Sequence, residues 1–146
     1  MKLRIAAVAA AATAIWPGAA MACESGSLQE TVNLMVSLGQ HGDGAEIREA
    51  TDSIDRLTQN CPADPHVLKT AALARATLAD NVTDAAARLA LRKQALADFD
   101  RSAALVTPAS KPRDVMLNGQ EMQVGFSDAI ELRRALVEAI EEDRPR

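Results

Sequence analysis

The chain has 146 residues, with 16 Lys+Arg against 20 Asp+Glu and a formal charge of −4. That length is one domain, or one domain plus a removable segment, and 48% hydrophobic with 25% charged residues excludes global disorder. Trp16, Phe99 and Phe126 are the only aromatic residues and there is no tyrosine, which excludes the stacking platforms that bind sugars or single-stranded nucleic acid.

Residues 1–22 read as a cleavable signal peptide. Met1-Lys2-Leu3-Arg4 is a short basic start, an apolar stretch runs from Ile5 to Trp16, and Pro17-Gly18 precedes Ala19-Ala20-Met21-Ala22. At ~1.5 Å per residue a helix over 5–16 reaches about 18 Å, short of the ~30 Å hydrocarbon core, so no integral membrane span is expected. Cleavage at Ala20-Met21-Ala22 would leave Cys23 first, in a protein exported to the bacterial periplasm or secreted. The alternative is a lipid anchor through Cys23, although Ala20 stands where the bacterial lipobox usually carries leucine. Loss of Lys2 and Arg4 makes the mature chain two charges more acidic. An anionic chain without a basic run lacks the counterion-release term that drives nucleic-acid binding, so no nucleic-acid partner is expected.

The mature part, residues 23–142, reads as a single, mainly α domain of about five helices. They form antiparallel hairpins, as a solenoid or a small bundle. The first helix covers 27–38, with Leu28, Val32, Met35 and Leu38 on one stripe. After the loop Gln40-His41-Gly42-Asp43-Gly44, a second helix carries Ile47, Ala50, Ile54, Leu57 and Cys61 at spacings of three and four. Folding the pair about Gly42 returns Cys23 and Cys61 to the same end, where a disulfide would clamp the open base. A redox-active pair is the other reading, but neither C-x-x-C nor an activated helix N-terminus is present.

Asp64-Pro65 is a strong helix start, with an aspartate N-cap and proline at the first helical position. The third helix covers 65–80, with Val67, Ala71, Ala74 and Leu78 on one face. Thr83 or Asp84 caps a long fourth helix to about 106, with Leu89, Leu96, Phe99, Ala103 and Val106 expected inward and Asp84/Arg88 as a solvated pair. Asn118-Gly119 between short alternating runs predicts a two-residue type I′ hairpin near 115–124. That turn pairs Leu117 with Gln120 and Val115 with Met122, and sets Val115, Leu117, Met122 and Val124 on one face against the helices. Ser127 is expected to cap a last helix to about 142, with Leu132, Leu136 and Ile140 inward, and 143–146 to fray.

Ala50-x3-Ile54-x2-Leu57-x4-Pro62 resembles the second helix of a tetratricopeptide repeat and its closing proline. Ala95-Leu96-Ala97-Asp98-Phe99-Asp100-Arg101 followed by Pro108 resembles another, with the proline one residue late. The two lie farther apart than that family's ~34-residue repeat. The resemblance implies stacked helical hairpins and peptide binding.

Chemistry-bearing constellations are sparse. No Gly-rich phosphate loop, G-x-S-x-G elbow or H-E-x-x-H occurs, Gly42-Asp43-Gly44 lacks the EF-hand ligand pattern, and no cofactor, metal or catalytic residue is assigned. His41 at the hairpin tip and His66 at its base stand ~25 Å apart across a helix of about 17 residues. Both are expected at the surface. Met116 and Met122, candidates for a copper pair, fall on opposite faces of the β-hairpin, with Met122 expected in the core and Met116 partly exposed. The remaining expectation is an exported module for a protein or peptide partner. The alternative is a small-molecule carrier with a cavity between the third helix and the 115–124 hairpin.

Overall fold

Asp64 starts the helix around which the others are arranged. In a computed structural model, which describes residues 23–38 and 44–146, its Oδ1 accepts the backbone N–H groups of His66 (3.0 Å) and Val67 (3.1 Å), with Pro65 in the first turn. Two otherwise unpaired donors of the helix are thus satisfied. The elements are α1 (Ser27–Leu38), α2 (Gly44–Asn60), α3 (Pro65–Asp80), α4 (Ala85–Leu105), β1 (Arg113–Leu117), β2 (Gln120–Val124) and α5 (Ala129–Glu142). The protein is mainly helical with one two-stranded antiparallel hairpin. The signal segment 1–22 and the loop residues His41 and Gly42 lie outside the described residues.

Helix α3 is buried nearly all round. Ala71, Ala74, Leu78 and Ala79 form one cluster with Leu38 of α1, Ala50 and Ile54 of α2, and Leu91 of α4. Val67 joins Leu28, Val32, Cys61 and Val115, and Ala72 joins Ala95, Phe99, Leu136 and Ile140. Its alanines let neighbours approach closely on several sides, so α1 meets α3 more extensively than it meets α2. The α1–α2 hairpin is therefore completed by α3 rather than being a packing unit of its own. Its open base is closed as expected: Cys23 and Cys61 are at disulfide-bonding distance, with 4.6 Å between Cα atoms.

Helix α4 corrects the expected stripe. Leu91, Ala95, Asp98, Phe99 and Ser102 are buried, whereas Leu89 and Leu96 are only partly so and Ala103 is exposed. Two polar residues occupy the buried face because α3 supplies partners. Asp98 accepts from Nε of Arg75 (2.9 Å), and the Ser102 hydroxyl donates to the Pro65 carbonyl (2.7 Å). Arg75 also reaches Asp55 of α2 at 2.8 Å. The Asp84/Arg88 pair does not form. Asp84 caps α4 through the N–H of Ala87, and Arg88 turns to Asp143 and to the Val82 carbonyl.

At α5 the N-cap is Asp128, not Ser127, and its carboxylate makes no capping bond because Lys69 holds it. Leu136 and Ile140 are buried as expected. Asp143, just past the end of α5, is bonded to Arg88 and Arg92 instead of lying free in the fraying tail.

Candidate interaction surface

Asn118 (φ 51°) and Gly119 (φ 79°) both adopt positive φ, as a type I′ turn requires. The register is the expected one: Leu117 opposite Gln120, Met116 opposite Glu121, Val115 opposite Met122, Asp114 opposite Gln123 and Arg113 opposite Val124. In such a hairpin the residues flanking the turn exchange both backbone bonds, and bonded and non-bonded pairs then alternate. The backbone N–H and C=O of Asp114 and Met116 on β1, and of Glu121 and Gln123 on β2, therefore point away from the hairpin at its two edges.

The edges differ. On the β1 side the Gln29 side chain donates to the Met116 carbonyl (2.8 Å) and accepts the Met116 N–H (2.7 Å), standing in for a neighbouring strand. Helix α1 runs along β1. On the β2 side Glu121 and Gln123 have no such partner among the described residues, and Gln120 through Gln123 are exposed. Among the described residues, the only bond at these two residues outside the ladder joins the Gln123 side chain to Asp114 across the hairpin.

The base of the hairpin is fastened to the start of α3. Arg113 pairs with the capping Asp64 at 2.7 Å, and His66 Nε2–H donates to the Lys111 carbonyl at 2.8 Å. The His66 ring also rests on Phe126, with centroids 4.7 Å apart. Lys69 Nζ donates to the Gly125 carbonyl and to Asp128, on the segment leading into α5. His66 is thus buried, contrary to the surface position expected. A polar residue in the first turn of a helix reads as solvated until the segments that cover it are known. Lys69 and Gln29 escape a reading of the sequence for the same reason. The one local hint was that Lys69 falls next to the apolar stripe of an otherwise alanine-rich helix.

Between α1, α3 and the underside of the hairpin lies an open cleft of about 250 Å³, with Val32, Met35, Leu73, Leu117, Met122 and Val124 as apolar lining and Lys69, Thr70, Ser127 and Asp128 among its polar lining. Met122 is 46% exposed and overhangs the β2 side of this cleft, so it is not the core residue expected. Met116 is 50% exposed on the opposite face, and the two methionines do not converge. A second apolar groove of about 220 Å³ runs between α4 and α5 past Phe99, Val106, Phe126 and Ile130. Among the described residues no group of three His, Cys, Asp or Glu side chains is placed to hold a metal ion.

The remaining predicted site residues, Cys23 and Cys61, lie together beside Val67 and Val115. The disulfide points to a non-cytoplasmic compartment. Among the described residues no helix is long and apolar enough to cross a membrane. Compared with protein-family models, curated proteins and solved structures, the chain matches none.

Proposed function

We propose that the chain is an exported protein-interaction module, working in the bacterial periplasm or outside the cell, that receives an extended segment of a partner along the β2 side of its hairpin. The observation that carries this reading is the asymmetry of the hairpin edges. Gln29 occupies the outward groups of Met116 and α1 lies along that edge, while those of Glu121 and Gln123 have no partner among the described residues and border a largely apolar cleft. Strand addition at such an edge draws affinity from main-chain bonds and specificity from alternate side chains entering a pocket. The signal-peptide pattern of residues 1–22 and the disulfide support the exported setting.

The carrier reading draws less support. A cleft of about 250 Å³ open along one side is smaller than the ~300–1,000 Å³ typical of small-molecule pockets. Selection from a displayed library of random peptides against the oxidised protein tests the proposal. Enriched peptides should alternate apolar and polar residues and shift the amide resonances of Glu121 and Gln123. Gln123→Pro, which removes an outward N–H without touching the β1–β2 ladder, should weaken them by about tenfold or more. Selected ligands that bind Gln123→Pro as well as the parent protein would place binding elsewhere and sink the reading.

A further inference from the structure

We infer that the β2 edge pairs with the β2 edge of a second copy of this chain, antiparallel about a two-fold axis through Met122. The inference rests on the reading of β2 as the docking edge and names its occupant. The outward-facing residues are Glu121 and Gln123, with Met122 between them. Set antiparallel on itself, that triplet is self-complementary. Glu121 exchanges both backbone bonds with the partner's Gln123, Gln123 does so with the partner's Glu121, and Met122 meets the partner's Met122 as a non-bonded pair.

Side-chain chemistry selects this register over its neighbours. With the axis at Met122, each Glu121 carboxylate faces an amide that can donate to it, and no like charges stand directly opposite. With the axis at Glu121, two carboxylates would oppose each other, which destabilises a strand pair. With the axis at Gln123, Glu121 would need the backbone of Gly125, whose carbonyl Lys69 already holds and which lies beyond the end of β2. The Met122 register also covers the half-exposed methionine and joins the two hairpins into one four-stranded sheet roofing both apolar clefts. The edge not used, β1, is the one where Gln29 takes the outward groups of Met116 and α1 lies alongside.

Sedimentation velocity of the oxidised protein from ~1 μM to ~1 mM should show mass rising from monomer toward dimer, since strand pairing alone covers less surface than a stable interface of ~1,600 Å². Gln123→Pro should weaken the dimer by about tenfold or more, with unchanged far-ultraviolet circular dichroism. Met122→Cys should cross-link rapidly on mild oxidation, because non-bonded antiparallel partners lie at ~4.5 Å between Cα atoms, within disulfide range. Gln120→Cys, which faces the partner's Val124 in this register, should not, and peptide mapping must find Cys23–Cys61 intact in both.

A dimer indifferent to Gln123→Pro, or cross-linking at Gln120→Cys and not Met122→Cys, overturns the inference. So does a monomer throughout the concentration range. A monomer that binds selected extended peptides in a Gln123→Pro-sensitive way overturns self-pairing but keeps β2 as a docking edge. A monomer that binds none loses both.

Discussion

Asp143 stands just beyond α5, and two arginines of α4 close over its carboxylate. Burial by itself would raise its pKa. The hydrogen bond from Arg88, the charges of Arg92 and Arg88, and the hydrogen bond from Arg92 outweigh that and hold it below the usual carboxylate range. A carboxyl whose pKa is lowered on folding adds stability that is fully present above its ordinary value of ~3.9 and is lost as pH falls through the folded value. Asp143→Asn should therefore lower the melting temperature at pH 7. The gap to the parent protein should close as the buffer is taken below about pH 4. A gap that stays constant from pH 7 to pH 3 would mean that the arginines do not act through the charge. The same arginines explain why Arg88 leaves Asp84: a nearly buried carboxylate accepting from two guanidinium groups outcompetes an exposed pair on one helix, worth only a few tenths of a kcal/mol.

At the level of elements, local signals mark where α3, α4 and the hairpin begin or turn. Asp64-Pro65 and Asp84 start helices as their chemistry dictates, and Asn118-Gly119 sets both the turn and the register of every residue in the hairpin. Gly119 has open space around its α-carbon, so only its backbone angle resists a side chain. Gly119→Ala should cost about 1–2 kcal/mol, read as a lower urea midpoint with an unchanged slope. What the sequence leaves hidden is which face of each helix is covered. Periodicity assigns polar residues to solvent, and here Asp98, Ser102, Lys69, Arg75 and His66 go inward because each finds a partner on another element. Met122 errs in the opposite sense. Alternation places it on the helix-facing side, but the hairpin stands off the helices along β2 and leaves a cleft there. The docking edge is legible only as an alternation of paired and outward groups. That Gln29 takes up the outward groups of Met116 depends on a contact between residues 29 and 116, which no local pattern announces.

Over the whole molecule, the start of α1, the end of α2, the cap of α3 and the base of β1 are joined through Cys23–Cys61 and Asp64–Arg113. The disulfide closes a loop with a sequence separation of 38, for which chain entropy gives about 4 kcal/mol. Reduction should lower unfolding stability by about that amount while retaining helical circular dichroism under native conditions, since the clusters around Ala72 and Leu78 contain neither cysteine. If reduction leaves the denaturant midpoint unmoved, the bond is not a staple. Because the apolar contacts of α1, α2 and α4 all converge on one helix in the middle of the chain, folding also has an order imposed on it. As the chain emerges from its N-terminal end, α1 and α2 have little to hold but each other until residues 65–80 appear, and α3 stays uncovered on its far side until α4 and α5 follow. The first half of this protein thus cannot bury its apolar faces until the helix at its centre has been made.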